Sequence, residues 1–248
     1  MCRLAKEKPL GSPLTITVVA CSKGAEVYSI VWAIRSARPD LQLSVHAIDI
    51  SPDIVRFAEK GVYSRSDNPA LQVNGHNSNL NSADATWRDQ PISIFERMTP
   101  KEVETLFELD GDQAKVRPWL RTGITWRTGD ANDPQLLRAL GPQDFVVANR
   151  FLCHMAAPGA ETCLRNVSRL VRPGGHLFVT GVDLDVRTKV ARALGWKPIT
   201  DLLKEVHEGD VSLKEGWPLH WWGLEPFCQD LPDWRTRYAS VFQIPKVL

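Results

Sequence analysis

Residues 14–50 read LTITVVACSKGAEVYSIVWAIRSARPDLQLSVHAIDI, and this stretch decides the fold. Its opening, Leu14 to Ala20, is a short β-branched run that predicts a buried strand. CSKGAE then turns the chain, and the apolar periodicity from Val27 to Arg38 predicts a helix that stops before Pro39. Gln42 to Ile50 predicts a second strand, and an acid, Asp49, stands at its end. Ser51 offers an N-cap with Pro52 at the first helical position, so a second helix runs to Lys60 before Gly61. The order β-α-β-α favours a parallel sheet with crossover helices.

Downstream the rhythm breaks and then resumes. Ser64 to Met98 is rich in Asn, Ser, Asp and Gly, an irregular insertion that reads as a lid, an oligomer contact or disorder. TPKEVETLFEL from Thr99 predicts a helix, Gly123 to Thr128 a strand, and Gln135 to Leu140 a short helix. DFVVAN at Asp144 to Asn149 predicts a buried strand, and Glu161 to Val171 an amphipathic helix stopped by RPGG. His176 to Val182 predicts a further strand, with helices at Val186 to Leu194 and Ile199 to His207. His220 to Phe227 and Tyr238 to Ile244 predict a closing antiparallel hairpin. The expectation is one domain over 1–248: a doubly wound, mostly parallel α/β sheet with the insertion at 64–98.

Composition narrows the function. Thirty basic residues against 29 acidic give a net charge of +1, which argues against a nucleic-acid partner. No apolar run is long enough to span a bilayer, and the N-terminus lacks an apolar signal core, so we expect no membrane and a cytoplasmic chain. Five cysteines with long spacings and no CxxC predict reduced thiols and no metal site. Nine Trp against three Tyr is unusual; Trp217, Trp221, Trp222 and Trp234 cluster near the C-terminus, either as an aromatic wall or as hairpin packing.

In open α/β sheets ligands bind beyond the carboxyl ends of the strands. Those ends here carry Cys21 to Glu26, Asp49, Asp130 to Asn132 and Asn149 to His154. Gly24 stands alone, without GxGxxG or a P-loop, so pyrophosphate recognition has little support. Asp49 is placed to accept from a ribose diol or to help cap the next helix. Asp130 accepts from an adenine amino group or caps near Asp133. Glu26 suits a helix first turn on dipole grounds alone, and acquires a further reason if the ligand is cationic.

At these residues the chain resembles the CheR-type branch (chemotaxis-receptor glutamate methyltransferases) of the class I S-adenosylmethionine-dependent methyltransferases. ACSKGAEVYS is similar to that family's small-residue loop ending in G-E-E-P-Y-S, and HAIDISPDIVRFAEKGVYS to its ribose strand and following helix. MTPKEVETLF, FVVANRFLCHM and LVRPGGHLFV are similar to its later motifs, so the likeness runs from Thr15 to Val182. The resemblance implies a Rossmann-like fold and S-adenosylmethionine as cofactor. It implies that Ala20, Cys21 and Ser22 line the methionine portion and Glu26 meets its amino end. Asp49 and Ile50 would hold the ribose end, Asp130 and Ala131 the adenine, and Asn149 with Arg150 would lie under the methionine.

The departures concern the substrate. Only a short leader precedes the first strand, where the family has a helical domain; Ala25 stands for the first Glu of G-E-E, Val27 for the Pro, and His154 for the tyrosine near the transferred methyl. His154 then reads as a general base or orienting group, or as a histidine satisfied by a backbone contact. Arg150 reads as a partner for a substrate carboxylate or as a surface ion pair. The expected activity is O- or N-methylation of a small molecule. The alternatives are carboxyl methylation of protein glutamate, a regulatory S-adenosylmethionine-binding protein, or non-methyl chemistry with the same cofactor.

Overall fold

The computed structural model describes residues 1–65, 94–95, 98–209 and 222–246. Its elements in chain order are α1 (Cys2–Ala5), β1 (Pro13–Val19), α2 (Ala25–Ala37), β2 (Gln42–Asp49), α3 (Pro52–Lys60) and β3 (Val62–Ser64). Then come α4 (Pro100–Leu106), β4 (Phe107–Asp110), β5 (Gln113–Val116), α5 (Pro118–Arg121), β6 (Ile124–Thr128), α6 (Pro134–Leu140) and β7 (Gln143–Asn149). The chain closes with α7 (Ala157–Ser168), β8 (Val171–Thr180), α8 (Leu184–Ala193), β9 (Lys197–Pro198), α9 (Leu203–Glu208), α10 (Trp234–Tyr238) and β10 (Val241–Gln243).

Seven strands form the main sheet in the order β6-β2-β1-β7-β8-β10-β9. The pairs β6-β2, β2-β1, β1-β7 and β7-β8 are parallel, and β10 runs antiparallel to both its neighbours. The chain winds outward from β1 through β2 to β6, then crosses back to lay β7 on the other side of β1. That reversal opens a crevice above β1 and β7, the place where doubly wound sheets bind ligands. β7 is buried on both faces, which is why DFVVAN carries no alternation. Phe145 and Val147 point into one core with α2, and Val146 and Ala148 into the other with α7 and α8.

The helix ends follow the sequence signals. The Ser51 side chain accepts from the Ile54 N–H, Pro52 opens α3, and Gly61 closes it at φ +58°. Thr99 and Glu102 form a capping box at the start of α4. Three predictions are corrected. The helix from Thr99 ends at Leu106 instead of running on, because Phe107–Asp110 pairs with Gln113–Val116 across a turn at Gly111 (φ +55°). With β3 these strands make a second, antiparallel sheet in the order β3-β5-β4. The C-terminal strand is Val241–Gln243, and it pairs with β8 and β9; the expected partner stretch carries an isolated bridge at Leu224 within its described residues 222–227, and Tyr238 is helical. RPGG lies inside β8, where the register with β7 shifts, and α7 ends at Ser168 before it.

The insertion expected at 64–98 lies outside the described residues except at 64–65, 94–95 and 98. Ser64 belongs to β3, and Phe95 meets the rings of Tyr63 and Phe107 edge-on. Trp217 and Trp221 also lie outside the described residues. No helix among the described residues is long and apolar enough to cross a membrane.

Candidate active site at the strand ends

The loop after β1 is built from left-handed residues: Ala20 at φ +55°, Ser22 at +48° and Gly24 at +84°. Gly24 begins α2, and a Cβ there would stand 2.9 Å from the Trp126 ring and 3.0 Å from the Ala58 Cβ. A side chain has no room and no relaxed backbone at that position. Cys21 is buried; its N–H donates to the Ile48 carbonyl at 2.9 Å. Burial and the nearby Asp49 charge push its thiol up to about 12, so it stays protonated and inert.

Asp49 ties this loop to the next. Its Oδ2 accepts from the Ser22 N–H at 2.8 Å and its Oδ1 from the Ser51 N–H at 3.1 Å. The helix cap proper is Ser51, so capping alone does not account for the acid. A carboxylate offers about four lone-pair sites, and two remain for a ligand. Ile50, next along, is 69 % exposed. The Gly129 N–H donates to the Asp49 carbonyl at 2.9 Å, which sets the Asp130 loop beside Asp49. Asp130 accepts from the Asn132 N–H, whereas Asp133 caps α6; Ala131 rests against the core below.

On the other side of the crevice, three elements are joined by one chain of hydrogen bonds. Thr180 Oγ1 donates to Asn149 Oδ1 at 3.0 Å, and Asn149 Nδ2 donates to Glu26 Oε1 at 2.5 Å. Glu26 keeps part of its surface exposed, but burial dominates and raises its pKa above the ordinary 4.5; the Asn149 bond and the Arg150 charge act in the opposite direction. Arg150 follows at φ +56°, with its N–H on the Thr180 carbonyl at 2.9 Å. Its backbone packs on Gly181, where a Cβ would fall 2.5 Å from the Arg150 Cα.

His154 ends a short 3-10 turn, Leu152–His154, and is exposed. Its ring meets Trp222 edge-on, with centroids 5.9 Å apart and planes at 86°. Among the described residues its ring makes no hydrogen bond. A cavity of about 90 Å³ is lined by Arg150, Thr180, Gly181, Arg187, His207 and Trp222 among others. Trp234 opens α10 and packs edge-on against Phe227 without the expected hairpin, whereas Trp222 lines the cavity and meets the His154 ring.

Sequence reasoning missed Arg187, Glu225 and Arg237. Arg187 had a legible signal, because it shares the buried face of α8 with Leu184 and Ala191 at helical spacing. Gly181 was legible only as part of a strand. No group of three or more His, Cys, Asp or Glu suited to a metal ion occurs among the described residues.

Two family models match the chain. Residues 2–78 match "CheR methyltransferase, SAM binding domain", and residues 100–179 match "Methyltransferase domain". The chain is thus similar to CheR-type methyltransferases over residues 2–78 and to a general methyltransferase domain over residues 100–179. Among curated relatives, the probable biofilm formation methyltransferase WspC of Pseudomonas aeruginosa is 28% identical over 170 residues, 68% of this chain and 34% of that protein. The chemotaxis protein methyltransferase of Listeria monocytogenes is 22% identical, over 68% of this chain and 53% of its own. The chain therefore spans about a third to a half of these relatives. The solved O-methyltransferase family 2 protein of Planctomyces limnophilus is 12% identical over 79% of this chain and 51% of its own, with a TM-score of 0.43.

The cofactor is S-adenosylmethionine, the ligand named by the family model that matches residues 2–78. The residues present suit it. Asp49 retains acceptor sites for a diol, exposed Ile50 offers an apolar face beside them, and half-buried Glu26 lacks a cation hydrogen-bonded to it among the described residues.

Proposed function

We propose that the chain transfers a methyl group from S-adenosylmethionine to an oxygen or nitrogen of a small molecule. The observation that carries this reading is the cavity lined by Arg150, Thr180 and Trp222, where Trp222 also meets the His154 ring and Thr180 binds the Asn149 that holds Glu26. Ala20, Cys21, Ser22 and Glu26 would take the methionine portion, Asp49 and Ile50 the ribose, Asp130 and Ala131 the adenine. Asn149 orients Glu26 toward the ammonium. The cofactor supplies an electrophilic methyl on a sulfonium. This chain supplies alignment and exclusion of water, which together account for much of the rate in a displacement. An O–H or N–H acceptor must also lose a proton, and a ring nitrogen of His154 receives it. The Trp222 edge holds that ring in place.

Calorimetry with S-adenosylmethionine and S-adenosylhomocysteine tests the cofactor assignment, followed by a labelled-methyl screen of metabolite pools. His154→Ala should lower turnover at least about tenfold while cofactor affinity stays within a few fold. Near-normal turnover would remove His154 from the reaction. The likeness to a chemotaxis protein methyltransferase favours a second reading, transfer to a protein carboxylate. A base-labile methyl ester on protein, with no labelled metabolite, would select it.

A further inference from the structure

The cavity lined by Arg150 and Trp222 carries a buried charge that no carboxylate among the described residues neutralises at hydrogen-bond range. Arg187, on the inner face of α8, is 3 % exposed. Its Nη1 donates to the Val179 carbonyl at 3.3 Å and its Nη2 to the Arg237 carbonyl at 2.6 Å. Among the described residues its Nε–H has no hydrogen-bond partner and no carboxylate lies within ion-pair distance of it. The nearby carboxylate, Glu225, is committed elsewhere. It accepts from Arg237 through both oxygens and from the Tyr238 hydroxyl at 2.9 Å. Arg237 also pairs with Asp185.

A guanidinium removed from water normally finds a hydrogen-bonded anion, because burying it alone is expensive. Desolvation lowers the Arg187 pKa to about 10, so the group remains cationic at neutral pH. His207, whose Nε2 meets the Glu225 carbonyl at 2.8 Å, has its pKa lowered by burial. The cavity lined by Arg187 has about 90 Å³, well above the roughly 10–15 Å³ that a single water requires. A second guanidinium, Arg150, lines the same space, and its charge is also felt at Glu26. The cavity thus adjoins the methionine side of the crevice through Arg150, Thr180 and Gly181.

We infer that this cavity receives a carboxylate, or a similarly small oxyanion, carried by the methyl acceptor, with Arg187 as its buried anchor and Arg150 as the second guanidinium. The inference rests on the small-molecule reading above and deepens it by naming the substrate's charge. The bound oxyanion is an anchor and not the methylated atom. Lone pairs engaged by two guanidinium groups are poor nucleophiles, so the methyl goes to another oxygen or nitrogen of the same molecule. The proton of that O–H or N–H passes to His154, and the carbon–sulfur electrons stay with the sulfur.

The test uses the full chain labelled with ¹⁵N and the Arg187 Nε–H resonance, assigned through bonds on the unaltered protein. Acetate should shift that resonance saturably, whereas acetamide, its uncharged analogue, should leave it in place. Arg187→Lys should raise the KM of an anionic acceptor at least about tenfold and leave cofactor affinity by calorimetry within about threefold. An Arg187 resonance indifferent to acetate overturns the inference even if every variant fails to fold. Accepted substrates that carry no anion, or base-labile methyl esters as the product, overturn it as well. Cofactor calorimetry on the same samples is read separately. Failure of S-adenosylmethionine to bind sinks the methyl-transfer reading, while the acetate titration still decides the anion pocket.

Discussion

Asn149 and Glu26 lie 123 residues apart in the chain and share a 2.5 Å hydrogen bond, Nδ2 to Oε1, on the floor of the crevice. Asn149 in turn receives the Thr180 hydroxyl, so β8, β7 and α2 meet through one side chain. Replacing Asn149 with Leu leaves the Glu26 carboxyl and the Thr180 hydroxyl without this partner. The expected cost is about 1–3 kcal/mol of stability, read from denaturant midpoints. Cofactor affinity should fall at least about tenfold, the equivalent of ~1.4 kcal/mol. Unchanged affinity by calorimetry would detach Asn149 from the site.

Glu26 predicts a pH dependence with a definite sign. Burial raises its folded-state pKa above 4.5, so the apo protein binds this proton more tightly than the unfolded chain. That contribution to stability is fully present below the unfolded value and is lost as pH rises through the folded pKa. Binding an ammonium needs the ionised form, so cofactor affinity should run the other way and weaken as pH falls from neutrality through the raised pKa. Thermal shifts with and without S-adenosylmethionine across that range should diverge toward neutral pH. In Glu26→Gln both trends should flatten.

Asp49→Asn offers a finer test than Asp49→Ala. The two backbone donors, Ser22 N–H and Ser51 N–H, each occupy a different oxygen. An amide has one oxygen, so one donor would face an NH₂ group. Loss of the diol acceptor and strain in the loop should together weaken S-adenosylmethionine at least about tenfold. Calorimetry with adenosine alone should show the same loss, and an unaltered adenosine affinity would place the ribose elsewhere.

Gly181→Ala should be costly although no ligand role is assigned to it. The new methyl would lie 2.5 Å from the Arg150 Cα, on a residue at φ +61°. We expect more than about 1 kcal/mol of destabilisation, with reduced turnover because Arg150 must shift. Gly141→Ala is the matched control; φ is +66° there, but the space around it is open. Equal losses at both positions would show that backbone strain alone is at work.

Trp222→Ala removes the ring that meets His154. It should change which acceptors are used, and lower kcat, more than it changes cofactor affinity. A parallel screen of acceptors and cofactor binding distinguishes this from simple loss of packing, which would lower all of them together.

The strands that carry the proposed cofactor residues were readable in advance because their signals are local. A β-branched run, a lone glycine, an acid at a strand end and Ser-Pro before a helix act within a few residues, and the strands followed. The second sheet was missed at Phe107–Val116, where a strong capping box hid a Gly-Asp turn five residues past the helix. The Arg187 cavity was missed because its partners, at 150, 180, 207 and 222, share no sequence neighbourhood.

The sequence alone determined the parallel sheet and the acids at its strand ends, since hydrophobic period and turn chemistry are properties of adjacent residues. Tertiary structure decided the rest. It joined Glu26 to Asn149, set Trp222 against His154, and left Arg187 buried with its Nε–H unmatched among the described residues. Such pairings depend on which strand crosses to which side of β1, and desolvation acts on a charge only once distant segments have closed around it.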